Sequence, residues 1–363
     1  MNKIQLIFAV AILLFVNCED EASVISGGGS SGGNNDQNDN NKTGWLIPKD
    51  EVFDGGPGKD GIPALSNPEF ISAEEADFMR PDELVLGIKE GNVVKAYPHQ
   101  ILDWHEIIND KAGSKKIAIT YCPLTGTGIN WDRVINERET TFGVSGLLYN
   151  TNLIPYDRET DSYWSQIRLE SVHGDHIGKD ALTYQLIETT WNTWTEMYPE
   201  TKVVSLHTGF SRNYGVYPYG NYKSSNSLIF PVKPTDNRLD LKERVHGIIF
   251  FFFLFVFSFG SFPDGKTGII HDRFKDTPLV VIGNKQKNYI ASFINNESRT
   301  FSPSNDVDGA IFKDASDNYY DMFGEVIQGP SVDEKLEATT SFMGFWFSFG
   351  AFYPSPKIYG HEK

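Results

Sequence analysis

The chain has 363 residues, of which 40% are apolar and 13% aromatic, enough to bury a sizeable core in one large domain or two medium ones. Its formal net charge of −16, from 48 acidic and 32 basic residues, argues against nucleic acid or an anionic membrane surface as a partner. Only two cysteines occur, Cys18 and Cys122, which excludes a disulfide framework.

The first 18 residues have the pattern of an export signal. Lys3 precedes an apolar run, Leu6 to Val16, that is too short to span a bilayer. A cysteine directly after such a run resembles a lipobox and predicts lipidation of Cys18, although Asn17 replaces the usual small residue. The alternative is an ordinary signal peptide with an incidental cysteine. We expect an exported protein of the cell envelope that contacts the membrane only through its anchor.

Residues 19–44 predict a flexible tether. The stretch from Ser26 to Asn41 consists almost entirely of Gly, Ser, Asn and Asp, so it cannot bury apolar surface. The folded part is therefore expected to begin near Trp45 and to occupy residues 45–363.

The elements of the body indicate a strand-rich α+β fold. Pro98 opens a predicted short helix, which Asn109-Asp110 closes. Ile117 to Tyr121 is typical of a buried strand ending at Cys122, and a glycine-containing turn separates it from a strand over Ile129–Asp132. A second helix is predicted from about Thr190 to Met197.

The body contains two weakly similar segments. Trp191-x-x-Trp194-x-x-x-Tyr198-Pro199 recurs as Trp346-x-x-Phe349-x-x-x-Tyr353-Pro354, and other matches keep an offset of 155 or 156 residues. Upstream, with a slightly larger offset, Val85 to Ile88 matches Val245 to Ile248. This pattern predicts two tandem copies of one α+β unit about a pseudo-twofold axis. The first copy covers about 84–205, a connecting segment 206–243, and the second copy about 244–359.

One stretch fits this scheme poorly. Ile248 to Phe259 reads IIFFFFLFVFSF, and eight of the 26 phenylalanines lie between Phe250 and Phe262. The matching stretch of the first copy, Lys89 to Lys95, is an ordinary polar hairpin. We favour a local reading-frame error as the explanation. The competing interpretation is a buried strand pair or a partner-binding patch.

Several long motifs resemble the domain of unknown function 3179 family. They are Tyr97-Pro98-x-x-Ile101-Leu102-x-Trp104-His105-Glu106-Ile107-Ile108-Asn109-Asp110, Thr120-Tyr121-Cys122-Pro123-Leu124-x-Gly126-Thr127, Gly143 to Asn150, and Tyr156 to Gln166. Together with the repeat, the resemblance covers roughly Trp45 to Tyr359. It implies no established activity. Many members carry a second cysteine three residues after the first, where this chain has Thr125, which weakens any two-cysteine metal or redox site.

The sharpest candidate site is formed by His105, Glu106 and Cys122. Packing of the first helix on the sheet could bring imidazole and thiol together, which suits copper or zinc with the carboxylate as a third ligand. The same pair could be a nucleophile and its base. The alternative is that His105 and Cys122 are core residues and Glu106 is solvated. By register, the second copy has Thr267 and Asn284 in place of His105 and Cys122, which would restrict the site to the first copy.

Weaker candidates for ligand contact follow the thiol, although turn and strand-end hydrogen bonding explains them as well. They are Thr125, Ser145, Asn150, Asp157, Arg158, Trp164 and Gln166. A tyrosine-rich stretch, Gly209 to Tyr222, is typical either of an adaptable binding surface or of a loop that caps a β core, and we favour the cap.

Two functions from different classes follow. The first is a metal-binding or thiol-dependent envelope protein centred on Cys122 and His105, because an exported free thiol needs burial or ligation to escape oxidation. The second is a non-catalytic surface lipoprotein that binds a glycan or protein through its tyrosine-rich loops. The sequence leaves open whether the protein is an enzyme, and which small molecule or protein is its partner. It lacks the G-x-S-x-G motif of serine hydrolases, a phosphate-binding loop and a dinucleotide fingerprint.

Overall fold

The computed structural model of the protein describes residues 44–361. The predicted export signal, the lipidation site Cys18 and the predicted tether up to residue 43 lie outside the described residues. Within residues 44–361, no helix is both long and apolar enough to cross a membrane.

Seventeen strands and two α-helices precede residue 206. The strands are β1 (Val52–Asp54), β2 (Leu65–Ser66), β3 (Phe70–Ser72), β4 (Leu84–Glu90), β5 (Val93–Pro98), β6 (Ile107–Ala112), β7 (Lys115–Cys122), β8 (Thr127–Asp132), β9 (Val134–Ile135), β10 (Arg138–Glu139), β11 (Phe142–Tyr149), β12 (Asn152–Asp157), β13 (Tyr163–Ser165), β14 (Glu170–His173), β15 (Thr183–Tyr184), β16 (Ile187–Thr190) and β17 (Lys202–Val204). The helices are α1 (His99–His105) and α2 (Trp191–Met197).

Eleven strands and one α-helix follow residue 243 within the described chain. The strands are β18 (Arg244–Phe250), β19 (Phe253–Ser258), β20 (Gly268–Phe274), β21 (Thr277–Asn284), β22 (Tyr289–Ile294), β23 (Phe301–Pro303), β24 (Phe312–Asp314), β25 (Tyr319–Tyr320), β26 (Val326–Gln328), β27 (Ser341–Phe345) and β28 (Lys357–Ile358), and the helix is α3 (Trp346–Phe352). Short 3₁₀ turns occur at Lys49–Glu51, Tyr222–Ser224 and Phe259–Ser261.

The strands form several small sheets rather than one large one. Before residue 206 the larger sheets have the strand orders β16-β4-β5-β17-β3, β15-β8-β7-β6-β2 and β1-β11-β12-β13-β14, beside the small pair β10-β9. After residue 243 the orders are β27-β18-β19-β28, β20-β21-β22 and β23-β24-β25-β26. The predicted strand-rich α+β class is confirmed.

The local predictions hold for most of these elements but fail at the end of the first helix. Helix α2 begins after Thr190, whose side-chain oxygen accepts a hydrogen bond from the Thr193 N–H. Helix α1, in contrast, ends at His105, and Asn109-Asp110 lies in strand β6. The helix stops because Glu106 has φ 56° and ψ −30°, a conformation that cannot continue a right-handed helix. Ile107 and Ile108 then pair with β7 instead of extending the helical face.

The phenylalanine-rich run folds as a strand pair. Strands β18 and β19 pair antiparallel from Val245–Ser258 to Phe250–Phe253, so the turn falls on two phenylalanines. Phe255 and Phe257 are fully buried, whereas Phe251 and Phe252 at the tip are 94% and 81% exposed. This arrangement corresponds to the buried strand pair that was the competing interpretation of the run.

The buried clusters draw on both parts of the chain. One contains Cys122 and Trp164 together with Trp346 and Phe349 of α3. Another contains Trp194 of α2 together with residues of β21 and β22. Each of these helices therefore packs into a core that the other part of the chain helps to build, so neither core is complete without both parts.

Two glycines allow this packing. A Cβ atom on Gly87 of β4 would lie 2.1 Å from a ring carbon of Trp194 in α2. A Cβ atom on Gly247 of β18 would lie 2.5 Å from a ring carbon of Phe349 in α3. Real Cβ atoms do not approach so closely, so an aromatic ring of each helix rests directly on strand backbone.

Candidate functional site: a buried thiol and carboxyl beneath a tyrosine-rich segment

Cys122 is the last residue of β7 and is 1% exposed. A tight turn follows it, in which the Gly126 N–H donates to the Cys122 carbonyl at 2.8 Å and Gly126 has φ 61°. The thiol Sγ lies 3.7 Å from the Thr151 carbonyl oxygen. The thiol is thus enclosed at a strand end, between β7 and the turn that connects β11 with β12.

Glu106 lies beside this strand end. The Tyr121 N–H donates to the Glu106 carbonyl at 2.6 Å. This bond holds Glu106 next to the end of β7, where Cys122 lies. The side chain is buried, and burial raises the pKa of the carboxyl to about 8. A positive φ at a residue other than glycine costs on the order of 1–3 kcal/mol and tends to be kept where function requires it.

The thiol and the carboxyl are electrostatically coupled. Burial raises the pKa of Cys122, and the nearby Glu106 charge raises it further. Hydrogen bonds from Thr125 oppose this shift in the pKa of the thiol. Thr125 is itself fully buried, and its Oγ1 lies 2.8 Å from that of Thr127. Thr125, where the resemblance to the family implies a second cysteine, is therefore in contact with Cys122.

His105, the third member of the predicted site, is engaged elsewhere. Its Nδ1 donates to the Pro63 carbonyl at 2.7 Å, and its Nε2 accepts from the Tyr214 hydroxyl at 2.7 Å. Burial lowers the pKa of this imidazole, which favours that neutral form. The structure thus places the Glu106 carboxyl near enough to Cys122 for its charge to act on the thiol, whereas both ring nitrogens of His105 bond to other groups.

These contacts do not fit a copper or zinc centre at the predicted residues. A metal needs an unprotonated, unoccupied imidazole nitrogen, and both nitrogens of His105 already have partners. Across the described part of the chain, no group of three or more His, Cys, Asp and Glu side chains is arranged to hold a metal ion.

Residues 206–243, here called the covering segment, lie over the thiol and the carboxyl. The Tyr219 hydroxyl donates to Glu106 Oε1 at 3.4 Å. The Tyr217 and Tyr222 hydroxyls donate to the carbonyls of Pro123 and Leu124, at 3.1 and 2.9 Å. The tyrosines thus direct their hydroxyls inward, onto the two residues that follow Cys122 and onto its carboxyl neighbour.

The covering segment is also fastened to α1. Lys223 Nζ lies 3.1 Å from the Asp103 carboxylate and 4.0 Å from the centre of the Tyr217 ring. The Trp104 indole N–H donates to the Val216 carbonyl at 3.1 Å. A second attachment lies at the β11–β12 turn, where Asn150 exchanges two hydrogen bonds with the Lys233 backbone.

A row of polar residues along α1 extends the site and was missed in the sequence. His99 and Asp103 are spaced i and i+4 on one face of α1, Glu106 follows directly after the end of the helix, and all three are buried. His99 Nε2 lies 3.3 Å from Glu188 of β16, which also pairs with Arg244 of β18. Burial opposes ionisation of Glu188, but Arg244 and His99 together lower its pKa to about 2. The spacing of His99 and Asp103 in the sequence could have indicated this polar row. No sequence pattern marked Glu188 or Arg244 as part of it.

The remaining weak candidates bond to protein groups. Asp157 accepts from the Thr160 N–H at 2.8 Å and from the Trp164 indole at 3.0 Å, and Arg158 pairs with Asp60 at 2.7 Å.

Ser145 and Gln166 behave in the same way. The Ser145 hydroxyl donates to the Ile154 carbonyl. Gln166 accepts from the side chains of Thr127 and Asn152, both at 2.7 Å. These bonds correspond to the turn and strand-end hydrogen bonding considered for the whole group.

Comparison with known proteins identifies one family. Its sequence profile, described as "Protein of unknown function (DUF3179)", matches residues 59–356, which include the thiol, the carboxyl and the covering segment. Neither a curated protein nor a solved structure matches the chain significantly.

Proposed function

The chain belongs to this family of unknown function, and from that premise we propose that it is an exported, lipid-anchored envelope protein with a thiol-dependent site. Cys122 is the reactive group of the proposed site, and Glu106 is the acid–base group beside it. The covering segment controls access to both.

The observation that carries the proposal is the state of Glu106. Its carboxyl is buried, it is held in a positive-φ conformation, and its pKa is raised to about 8. Efficient proton transfer needs a group whose pKa lies near the working pH, and buried carboxyls acquire such values at catalytic sites. A carboxyl placed only for stability would gain more from a cationic partner, and the group bonded to this one is the Tyr219 hydroxyl.

The pair supports a simple reaction sequence. In the fraction of molecules in which Glu106 is ionised, its carboxylate takes the thiol proton while Sγ forms a bond to the electrophilic carbon of a substrate. The bond between that carbon and its leaving group breaks, and Glu106 returns the proton to the leaving group. Glu106 thus ends as it began, and Cys122 is left as a thioester. Water then attacks the thioester carbon while Glu106 takes a water proton, the C–S bond breaks, and Glu106 returns the proton to the thiol.

Access to the thiol requires movement of the covering segment. In the closed arrangement the thiol is 1% exposed and its raised pKa keeps it protonated, so it is protected from oxidation. Within residues 206–243 the segment contains no strand. It is attached by side-chain bonds, such as Lys223 to Asp103, and at its end by backbone hydrogen bonds from Trp346 and Phe347. Segments held in this way open at a lower free energy than sheet strands.

The alternative function, binding of a glycan or protein through the tyrosine-rich loops, receives less support. The hydroxyls of Tyr214, Tyr217, Tyr219 and Tyr222 all bond to other residues of the chain. Such a surface would have to break these bonds before it could offer the hydroxyls to a partner.

Lipid anchoring is proposed from the sequence alone. It places the lipid on Cys18, so that residues 19–44 separate the body from the membrane. Mass spectrometry of the mature N-terminus should find a diacylated cysteine, and Cys18→Ala should release the protein from the membrane fraction. An unmodified N-terminus beyond residue 18 would instead support an ordinary signal peptide.

We also propose that the body arose as two tandem copies. The orders β16-β4-β5-β17 and β27-β18-β19-β28 support this, because corresponding strands are 154 to 160 residues apart at their first residues. The contacts of Gly87 with Trp194 and of Gly247 with Phe349 supply an independent parallel. In this scheme only the first copy carries the thiol.

Alkylation of Cys122 in the folded, lipid-anchored protein tests the proposed site. Iodoacetamide should label Cys122 slowly. The labelling rate plotted against pH should deviate from a single titration curve near pH 8, where Glu106 ionises. Glu106→Gln should give a single titration with a lower apparent pKa of the thiol, because the neighbouring negative charge is gone. Identical profiles for the two proteins would show that carboxyl and thiol are not coupled.

Removing one attachment of the covering segment tests access. Lys223→Ala should speed alkylation roughly three- to tenfold, because it removes the ion pair with Asp103. Lys111→Ala, which changes an exposed lysine, is the matched control and should leave the rate unchanged. A thiol that stays unreactive in the Lys223 variant would contradict a thiol-dependent function.

A further inference from the structure

The tip of the β18–β19 hairpin has a composition that neither its turn nor the core explains. Phe251 and Phe252 form the two-residue turn and are 94% and 81% exposed. The corresponding turn of β4–β5 is Gly91-Asn92, and Gly91 and Phe251 have nearly the same φ, 55° and 54°. This left-handed conformation suits glycine and disfavours a bulky side chain. The two phenylalanines therefore point to contact with something outside the chain.

The exposed rings belong to a larger apolar groove. Phe251 and Phe252 line it together with Leu182, which is 66% exposed. Ile249 and Phe352 supply further apolar wall, and the volume of the groove is about 800 Å³. A connected apolar surface of this kind is typical of a contact with a protein or a membrane.

The described chain begins at the edge of this groove. Gly178 is one of the lining residues, and a Cβ atom on it would lie 4.0 Å from the Leu46 side chain. The first described residue, Gly44, is only two residues earlier. Residues 19–43 join this point to the lipid proposed on Cys18, and a glycine- and serine-rich tether of that length spans roughly 25–30 Å on average. A lipid anchor would therefore keep the groove within reach of the bilayer.

We propose that the hairpin tip and the groove contact the surface of a zwitterionic bilayer, as a second membrane contact beside the anchor. The inference rests on the proposed lipid anchor for the orientation of the body. Phe251 and Phe252 insert between the lipid headgroups. Lys275 is exposed, and its Nζ lies 3.1 Å from the centre of the Phe253 ring. Its ammonium group reaches the lipid phosphates while its stem stays on the apolar surface.

Charge and tethering decide which surface fits. The charged side chains of the groove are Arg168, Glu170 and Asp180, and the first two pair at 2.7 Å. Anionic lipids would repel the body, because the chain has a net charge of −16. A bilayer is favoured over a protein partner, since the tether raises the effective concentration of lipid at this face.

Co-sedimentation with phosphatidylcholine vesicles tests the contact without the anchor. The full mature chain with Cys18→Ala carries no lipid, and half of it should bind at on the order of 1 mM lipid. This is weaker than binding through one acyl chain, so a washed membrane fraction still releases the variant. Phe251→Gly/Phe252→Asn, which installs the turn of the first copy, should weaken binding at least about tenfold. Val216→Asn/Ile229→Asn is the matched control and should leave binding unchanged, because these side chains are 53% and 51% exposed but do not line the groove.

Thermal unfolding separates the contact from the fold. Phe251→Gly/Phe252→Asn should keep or raise Tm, because it relieves the positive φ at Phe251 and removes exposed side chains. The parent protein must also give the mass expected for residues 248–259, since a different mass would remove the rings on which the contact depends.

Four other results would overturn the proposal. They are no binding at roughly 10 mM lipid, binding that the tip variant leaves unchanged, binding only to phosphatidylglycerol vesicles, and self-association of the parent that the tip variant abolishes. The anchor and the contact are tested separately. A lipidated native protein whose unlipidated chain ignores vesicles would keep the anchor and sink the contact. Vesicle binding by the unlipidated chain, with an unmodified native N-terminus, would keep the contact and sink the anchor.

Discussion

Strands β7 and β21 are each the middle strand of their sheets and have the same length, yet their last residues meet different surroundings. At the end of β7, Cys122 lies beside the buried carboxyl of Glu106. At the end of β21, Asn284 donates to Thr267 at 3.2 Å and accepts from the Lys287 N–H at 3.0 Å. The first strand end carries titratable groups with shifted pKa values, whereas the second is a closed set of neutral hydrogen bonds.

The difference teaches that the strand framework does not create the site by itself. Helix α1 follows β5 and ends directly before Glu106, whereas only a 3₁₀ turn, Phe259–Ser261, follows β19. The covering segment then contributes Tyr219 and Lys223 over the first strand end. The candidate chemistry therefore depends on one helix and one irregular segment added to an otherwise similar scaffold.

The largest expected effect is on the stability of the two cores that both parts of the chain build together. Trp194→Ala and Phe349→Ala should each lower the free energy of unfolding by about 3–5 kcal/mol, because both rings are fully buried. Urea unfolding should stay a single transition in both variants, since each ring lies in a core built by both parts of the chain. Two separate transitions would contradict this interdependence.

A smaller effect on stability is expected at Gly87 of β4, on which the Trp194 ring rests. Gly87→Ala should cost about 1–3 kcal/mol, because the added methyl group would overlap the Trp194 ring. Gly215→Ala is the control, since a Cβ there meets nothing within 4 Å and its φ is not positive. Equal free energies of unfolding for the two variants would show that Trp194 does not rest on the strand backbone.

The pH dependence of stability distinguishes the two strand ends. The unfolded protein ionises Glu106 near its ordinary pKa of 4.5, while the folded protein keeps it protonated up to about pH 8. Between these values the folded state binds more protons, so this residue's contribution to stability falls as pH rises. Glu106→Gln should remove that fall, as measured by Tm from pH 5 to 9, whereas Asn284→Ala should leave the slope unchanged.

The smallest effect is expected at the tip of the β18–β19 hairpin. Phe252→Asn should change the free energy of unfolding by less than about 0.5 kcal/mol, because the side chain is 81% exposed. Phe257 in the same hairpin is fully buried, so Phe257→Ala should lower the free energy of unfolding by about 3–5 kcal/mol. Mass spectrometry of the peptide that carries residues 248–259 also tests the reading-frame interpretation, which requires a mass different from that of IIFFFFLFVFSF.

Periodicity and turn chemistry predicted the strand-rich class, the strand ending at Cys122 and the helix after Thr190, because each depends on neighbouring residues. The end of α1 was mispredicted, because Glu106 adopts a left-handed conformation that its residue type does not favour. The grouping of His105 with Cys122 rests on packing of the first helix on the sheet, but the partners of His105, Pro63 and Tyr214, come from distant segments. The inward contacts of the covering segment depend on tertiary packing in the same way.

The central claim is that Glu106 is a carboxylic acid at neutral pH, poised to exchange a proton beside the thiol. Carbon-13 NMR titration of the glutamate carboxyls, with Glu106→Gln used to assign the signal, measures this directly. The account predicts one carboxyl that titrates with a pKa of about 8 and disappears in the variant. A Glu106 signal that titrates near the ordinary value of 4.5 would contradict it, because a carboxylate with that pKa is too weak a base to take the proton of a thiol whose own pKa is raised.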